Sequence, residues 1–265
     1  AIMTFFTPND AGEYGKYAIS GTFAAGLLLT AHELFPDLYP DGTLNIPESQ
    51  NQVPDILDEV RWEIEWLLKM QTEDGGVAHK LTKTEPINSK VAKKDQETRY
   101  RYPVSLNATA NACAVFAKAS ILYQPYSATF SYQCMEAASA AWRYLEDTEK
   151  EAGFQNPEGT LTKNYNDEDA SDERFWAAVE MYKVNKDPRY LEIIQLLAER
   201  RIPFLSASGY WGNVMPLAAA SIIEAGTELY GDILSKDARK DLLLLANSLV
   251  ERSREDGFRV TLDDE

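Results

Sequence analysis

Apolar residues recur along most of the chain at the i, i+3, i+4 spacing that an amphipathic helix produces. Ile56, Val60, Ile64 and Leu67, for example, share one helical face, and Pro54 precedes them as a helix start. Eight segments show this pattern: Tyr17–Phe35, 54–73, Pro103–Tyr123, Ser131–Glu146, Asp172–Val184, Pro188–Arg200, Val214–Tyr230 and Asp237–Arg254. Because no segment alternates convincingly between apolar and polar residues, the pattern predicts an all-α protein.

The connections between these segments indicate how the helices are arranged. A short connector at Asn185–Pro188 joins one pair into a hairpin, whereas the long loops Lys83–Arg99 and Gly153–Asp169 join others. The long loops follow helices of one parity, as expected for an α-helical toroid with the functional site on one rim. The chain lacks the fixed repeat of about 34 or 40 residues that an α-solenoid would show. Because no stretch of the sequence resembles a linker between domains, residues 1–265 are predicted to form one domain.

The charge balance narrows the range of partners. Lys and Arg total 26 against 42 Asp and Glu, which gives a formal net charge of −16. Such a surface repels phosphate backbones and anionic lipids, so neither nucleic acid nor a membrane is expected as a partner. No stretch reaches the ~18 apolar residues of a membrane span. A neutral polysaccharide meets no such repulsion.

The cysteines and the N-terminal residues give no further indication of function. Cys113 and Cys134 lie in Ala-rich helical patterns, and two cysteines cannot staple a scaffold of this size, so both are predicted to be buried free thiols. Ala1–Pro8 has no basic n-region, so we expect no signal peptide in this chain.

Two carboxylates, Asp10 and Glu13, stand three residues apart where the first predicted helix begins. Residues with this spacing lie on one helical face. Asp10 as N-cap with Glu13 in the first turn is close to a capping box, which would make both residues structural. Alternatively, one carboxylate activates a water molecule while the other orients it, since two acids in one pocket raise one pKa. Spacing alone leaves both interpretations open.

A family resemblance bears on this choice. Residues 10–17 read Asp-Ala-Gly-Glu-Tyr-Gly-Lys-Tyr and are similar to the Asp-Ala-Gly-Asp-Tyr-Gly-Lys-Tyr motif of glycoside hydrolase family 9. Residues 44–49, Leu-Asn-Ile-Pro-Glu-Ser, resemble a further segment of that family. Four more blocks follow in family order: Pro54–Glu63, Lys69–Val77, Tyr102–Ala110 and Arg174–Lys183. A single block would be weak, but six in register across essentially the whole chain are highly specific.

The resemblance implies a fold and an activity. Family members form an (α/α)6 barrel, so about eight of its twelve helices would be present here. They are cellulases and endo-β-1,4-glucanases that hydrolyse cellulose and related β-glucans with inversion. Matched residue by residue, Glu13 becomes the catalytic base and Asp10 its partner.

The sequence departs from the family pattern in places that affect catalysis. Glu13 replaces an Asp and reaches one methylene further, and a water displaced by more than about 1 Å can cost ~100-fold in rate. Thr7-Pro8-Asn9 stands where relatives carry Gly-Trp and an aromatic residue or His, so Asp10 is an alternative base. The family's general acid lies beyond a Trp-Gly-Ser-Asn segment, and residues 258–265 end where that segment should begin. We therefore expect the 265-residue chain to be impaired in hydrolysis.

Metal ligands are predicted from an acidic run. His32 and His79 have no partner at zinc-ligand spacing, so zinc is not expected. Residues 167–173 concentrate carboxylates suited to calcium, although an acidic helix start explains them equally well. Family relatives often bind calcium at the matching Asp-Glu pair. The predicted calcium ligands are Asp169, Asp172, Glu173 and Asn213.

Substrate contacts are predicted from aromatic residues and from one histidine. Pyranose rings stack on aromatic faces, and Tyr165, Trp176, Tyr210 and Trp211 lie in or beside late loops. Trp176 falls inside a helical pattern and is predicted to be core, whereas Tyr210 and Trp211 are predicted platforms. His79 follows the Gly75-Gly76 turn, where relatives place a loop near the cleft, so it is the third predicted substrate contact.

Two other functions remain compatible with the sequence. One is an exo-acting relative such as a β-glucosaminidase, and the other is a non-catalytic glycan-binding remnant. The predicted partner of the hydrolase is a β-glucan polysaccharide or oligosaccharide, and the family implies a secreted, extracellular protein. Apolar inner faces left exposed by an incomplete barrel would favour self-association.

Overall fold

The computed structural model describes residues 14–86, 98–148, 153–199, 209–255 and 257. In these ranges the helices are α1 Ala18–Leu34, α2 Asp55–Met70, α3 Leu106–Leu122, α4 Ala128–Asp147, α5 Ser171–Asn185, α6 Pro188–Glu199, α7 Met215–Ala225, α8 Thr227–Tyr230 and α9 Asp232–Glu255. The strands are β1 Lys16–Tyr17, β2 Lys80–Thr82 and β3 Tyr100–Arg101.

The helices form an inner and an outer layer. Helix α3 packs between α1 and α5, and α7 contacts both α5 and α1, so α1, α3, α5 and α7 surround a common core. Each inner helix is followed by an outer one: α2 covers α1, α4 covers α3, α6 covers α5 and α9 covers α7. A Cβ on Gly26 would lie 2.6 Å from Trp176 Cη2 and 2.9 Å from Leu217 Cδ1, so the missing side chain lets α1 approach its inner neighbours. The all-α hairpin toroid is confirmed.

Element boundaries differ from the sequence prediction at several places, and at two of them the local cause is clear. The helix predicted to begin at Pro103 begins three residues later, because Ser105 caps α3 by accepting a hydrogen bond at Oγ from Ala108 N at 3.2 Å. Pro103 instead belongs to the extended segment and accepts a hydrogen bond from His79 N at 3.0 Å. The long helix predicted to end at Tyr230 is interrupted at Gly226, whose φ of 77° is incompatible with a right-handed helix.

A small antiparallel sheet in the order β1-β2-β3 lies beside the start of α1. The strands have two or three residues each, which is too short to produce a recognisable alternation in the sequence. A sheet this small is compatible with the predicted all-α fold. The sheet matters because β1 consists of Lys16 and Tyr17, the last two residues of the Asp10–Tyr17 motif, and pairing with β2 holds them in place.

Other predictions about the core are confirmed. Cys113 and Cys134 are free and buried, and Trp176 is buried among the inner helices. Among the described residues, no helix combines the length and the apolar character needed to cross a bilayer.

His79 is buried immediately before β2. Its Nε2 lies 2.6 Å from the carbonyl oxygen of Asn164, so Nε2 carries the proton and donates. Its Nδ1 therefore accepts from the hydroxyl of Ser105 at 2.8 Å, and its ring stacks on Phe154 with centroids 3.9 Å apart. Burial lowers the pKa of His79 to about 4, despite the hydrogen bond to Asn164. The imidazole is neutral and serves as a packing element.

A buried ion network joins the inner helices near their C-terminal ends. Lys118 of α3 donates from Nζ to Glu33 of α1 at 2.5 Å, to Glu180 of α5 at 3.2 Å and to Ser221 of α7 at 2.8 Å. Lys183 donates to the other oxygen of Glu33 at 2.6 Å. Although burial acts in the opposite direction, the two ammonium groups hold the pKa of Glu33 below its usual value. One lysine thus contacts all four inner helices.

Replacing Lys118 by Met keeps most of the side-chain volume but leaves Glu33 and Glu180 buried without their shared ammonium group. Removing one partner of a buried ion pair typically costs about 3–5 kcal/mol, so the free energy of unfolding should fall by this amount in urea denaturation. Lys236→Met is the matched control, because Lys236 and Asp232 form an exposed pair at 3.1 Å and its loss should have far less effect. Equal losses in the two variants would contradict this account.

Acid should destabilise the fold through His79. As the pH falls from about 6.5 to about 4, the unfolded chain binds a proton that folded His79 still excludes. The contribution of His79 to stability should therefore fall by up to about 3 kcal/mol over this window, at about 1.4 kcal/mol per pKa unit. In urea unfolding at several pH values, the native protein and His32→Gln should both lose this much stability relative to His79→Gln. A pH profile unchanged by His79→Gln would refute the assignment.

Candidate functional site

The N-terminal ends of the inner helices meet on one side of the molecule. Asn107, in the first turn of α3, contacts Glu173 in the first turn of α5. Asp172 of α5 accepts a hydrogen bond at Oδ2 from the backbone N–H of Val214, just before α7, at 2.8 Å. Strand β1 leads directly into α1 at the same side, where Tyr17 contacts the loop before α5. We call this side of the molecule, formed by the starts of α1, α3, α5 and α7, the rim. The predicted site residues should meet there.

Three carboxylates form an acidic cluster, defined as Asp167, Asp172 and Glu173. One oxygen from each lies within 4.8 Å of the others. Burial, followed by the neighbouring charge of Asp172, raises the pKa of Glu173 well above its usual range. Burial also raises the pKa of Asp167 to about 6, with Asp172 and Asp169 adding to the shift and a backbone N–H opposing it. The cluster concentrates negative charge that a cation would neutralise.

The geometry fits a hard divalent cation. Oxygens that bind calcium at about 2.3–2.6 Å can lie up to about 5 Å apart across the ion. Asp167 Oδ2 and Glu173 Oε2 are buried and have no hydrogen-bond partner among the described residues. Such orphaned carboxylate oxygens are what an oxygen-coordinated ion would satisfy.

The structure brings Asp167, which was not among the predicted ligands, together with Asp172 and Glu173. The Asp169 side chain instead accepts hydrogen bonds from the N–H and hydroxyl of Ser171 at the start of α5, and its role as a ligand stays a prediction. Asn213 lies beside the cluster, but its Oδ1 accepts from Met215 N at 3.3 Å. Its role as a ligand stays a prediction.

Asn107 is a site residue that the sequence did not reveal. It is buried on α3, where its amide donates to Glu173 Oε1 at 3.1 Å and to the carbonyl of Asp169 at 3.0 Å. Its Oδ1 accepts from Gly153 N at 3.3 Å. Asn107 therefore joins α3 to both ends of the loop between α4 and α5. A polar amide in an Ala-rich helix was the available signal.

An aromatic row runs across the rim and consists of Tyr17, Tyr165, Trp211 and Tyr210. Each ring meets the next nearly edge-on: centroids are 4.6 Å apart for Tyr17 and Tyr165, 5.1 Å for Tyr165 and Trp211, and 5.7 Å for Trp211 and Tyr210. Tyr210 is 48% exposed, whereas Tyr165 and Trp211 are half-buried against the core. Tyr210 thus offers an accessible face, and the rest of the row supports it.

The turn from Tyr210 to Asn213 places this row beside the acidic cluster. Tyr210 and Asn213 exchange backbone hydrogen bonds of 3.2 and 2.9 Å, which close the turn. A Cβ on Gly212 would lie 2.9 Å from Tyr210 Cε2 and 3.4 Å from Asp167 Oδ2. Glycine therefore allows the turn to pass between the aromatic ring and the carboxylate.

The remaining predicted residues have different outcomes. Asp10 and Glu13 lie outside the described residues. Lys16, next to the last residue of their motif, is buried near Glu63. Burial lowers the pKa of Lys16 to about 8, and the negative charge of Glu63 opposes this shift. His79 is 1% exposed and both ring nitrogens are engaged by protein atoms, so it positions the rim without offering an atom to a substrate. In this arrangement His79 has no free ring nitrogen for a substrate, and its predicted substrate contact stays a prediction.

Comparisons with known proteins agree with the geometry. The family model described as glycosyl hydrolase family 9 matches residues 9–253. Endoglucanase D of Acetivibrio thermocellus is 31% identical over 256 residues, which are 96% of this chain and 41% of that protein. A xyloglucan-specific endo-beta-1,4-glucanase of Bacteroides ovatus is 32% identical and is matched over 94% of this chain and 44% of its own length.

Solved structures are similar along nearly the entire chain. A metagenome-derived glycoside hydrolase family 9 endoglucanase superposes with a TM-score of 0.87 and 35% identity, over 97% of this chain and 46% of that one. The chain thus spans less than half the length of these relatives. The family model, the curated relatives and the shared helical architecture agree, and the chain belongs to glycosyl hydrolase family 9.

Proposed function

We propose that the protein containing this chain hydrolyses internal β-1,4-glucosidic bonds of cellulose or a related β-glucan, with inversion at the anomeric carbon. The observation that carries this proposal is the aromatic row, which begins at Tyr17, the last residue of the Asp10–Tyr17 motif, and runs to the turn before α7. Aromatic faces suit the apolar faces of pyranose rings, and Tyr210 has such a face accessible. Trp211 supports that platform.

In the proposed reaction, a carboxylate of the motif acts as general base. Asp10 and Glu13 flank the attacking water: one removes its proton as the water attacks the anomeric carbon, and the other orients it. Inversion requires a carboxylic acid on the opposite side of the scissile bond, about 6.5–9.5 Å from the base, to protonate the leaving oxygen. Lys16, near the end of the motif, is buried and pairs with Leu81 of β2.

The relatives support a β-1,4-glucan as the substrate class. Their names include an endoglucanase, a cellodextrinase, a xyloglucan-specific endo-beta-1,4-glucanase and a cellulose 1,4-beta-cellobiosidase, which share this linkage. A formal charge of −16 is compatible with a neutral polymer. Because such a polymer does not enter cells, we place the enzyme outside the cell.

We also propose that Asp167, Asp172 and Glu173 hold a structural calcium ion, with Asn213 as a further oxygen donor. The unsatisfied buried oxygens of Asp167 and Glu173 support this assignment. The ion would tie the start of α5 to the loop that precedes it, and through Asp172 to the start of α7. Its contribution would be positional, because the ion would fix the rim that carries the aromatic row.

Substitutions in the motif test the reaction. In the full-length gene product, Asp10→Asn should lower kcat on carboxymethylcellulose by about 10²–10⁴-fold, the usual loss when a general base is removed. Glu13→Asp, which restores the family residue, should preserve or raise activity. Reducing-sugar release measures both effects, and NMR of the first product anomer checks inversion.

The control is Asp237→Asn on the exposed side of α9, which should leave turnover unchanged. Full activity in the Asp10→Asn/Glu13→Gln double variant would refute the base assignment. A β-anomer as the first product would refute inversion.

Two neighbouring aspartates distinguish the calcium ligands. Asp167→Asn should abolish calcium binding in calorimetric titration and remove the loss of melting temperature that a chelator causes. Asp169→Asn, a change of the same chemistry two residues away, should bind calcium with much smaller loss because its side chain faces Ser171. Equal binding by native protein and Asp167→Asn would rule out this ligand set.

A further inference from the structure

The loop of residues 153–165, called here the covering loop, lies across β2 and the residues beside it. Leu161 N donates to the carbonyl of Thr84 at 2.6 Å, and the hydroxyls of Thr82 and Thr162 lie 3.1 Å apart. His79, just before β2, donates to the carbonyl of Asn164. Successive residues of one short segment therefore hold the covering loop along its length.

Lys80 is the central contact of this arrangement. Its side chain is fully buried, and Nζ donates to Asn156 Oδ1 at 2.6 Å, to Lys163 O at 2.7 Å and to Thr162 Oγ1 at 3.0 Å. An ammonium group has three donors, and three atoms of the covering loop can accept all of them.

Aromatic rings surround the same ammonium group. Nζ lies 4.6 Å from the ring centroid of Tyr102, 5.5 Å from that of Tyr17 and 5.7 Å from that of Phe154. Cation–π attraction stabilises a charge in this position. Because an ammonium group removed from water needs such partners, Lys80 and the covering loop stabilise each other.

The covering loop ends at Tyr165, the second ring of the aromatic row. Tyr165 has a φ of 48°, a left-handed conformation that costs a non-glycine residue about 1–3 kcal/mol and persists only when its surroundings impose it. Lys80 fixes the carbonyl of Lys163, two residues earlier. The backbone that sets the direction of the Tyr165 ring is thus held from β2.

We propose that Lys80 is a positioning residue for glucan hydrolysis: its ammonium group clamps the covering loop and thereby fixes Tyr165 within the aromatic row. This inference rests on the proposed function for its effect on turnover. The clamp itself is independent of that function, because it consists of contacts within the protein.

Trypsin provides a direct readout of the clamp. Lys163 has an exposed side chain, but Lys80 holds the carbonyl of the bond that trypsin would cut. In native-state digestion followed by mass spectrometry, Lys80→Met should speed cleavage after Lys163 by about 10-fold or more, relative to cleavage after Lys240 in α9. Thr162→Val, which is nearly isosteric, should also speed cleavage after Lys163, by a smaller factor. If Lys80→Met does not fold, the cleavage rate of Thr162→Val tests the clamp.

The matched control is Lys118→Met, which removes an equally buried lysine at the other end of the inner helices. It should lower global stability but leave the ratio of cleavage after Lys163 to cleavage after Lys240 unchanged. Assayed well below the melting temperature, Lys80→Met should lower kcat/KM on cellohexaose by about 10–100-fold, while Lys118→Met retains it.

The outcomes separate the two proposals. If the native full-length gene product releases no sugar from any β-1,4-glucan, the proposed function fails, and digestion still decides whether Lys80 clamps the loop. Unchanged cleavage after Lys163 in both Lys80→Met and Thr162→Val would overturn the clamp. Faster cleavage with unchanged kcat/KM in Lys80→Met would overturn the positioning role.

Discussion

A single buried ammonium group ties the four inner helices together at the end away from the rim. Lys118 contacts side chains from α1, α5 and α7 while belonging to α3, so it constrains the inner helices at one end. The side chains of Glu33 and Glu180 are buried beside it and need its charge. The opposite ends of the inner helices meet through contacts of their own, from Asn107 to Glu173 and from Val214 to Asp172.

Charge is divided between the two ends of the inner helices. At the C-terminal ends, Lys118 and Lys183 pair with buried carboxylates. At the N-terminal ends, Asp172 and Glu173 occupy the first turn of α5, where the helix dipole favours anions, but burial raises the pKa of Glu173. Asn107 supplies one hydrogen bond to this cluster without neutralising it. Carboxylates without a lysine partner, as in the acidic cluster, are suited to binding a cation, whereas carboxylates paired with lysine hold the inner helices together.

The sequence revealed the helices better than the contacts between loops. Helices of eleven or more residues show the 3.6-residue period over several turns, whereas β1 to β3 are too short to show any period. Asp169 and Asp167 are equally acidic in the sequence, and only the turn at Ser171 decides which of them faces the cluster. Lys80 is buried, but no local pattern in the sequence indicates that a distant loop covers it. Contacts across 76 or more residues of chain have no local sequence signal.

The turn from Tyr210 to Asn213 touches both halves of the rim. Gly212 lies between the ring of Tyr210 and the carboxylate of Asp167, and the backbone just after the turn is bonded to Asp172. An insertion or deletion in this turn would therefore move the exposed aromatic ring and disturb the acidic cluster together. Natural variation in substrate preference is consequently expected to spare the length of this turn and to change its exposed side chain instead.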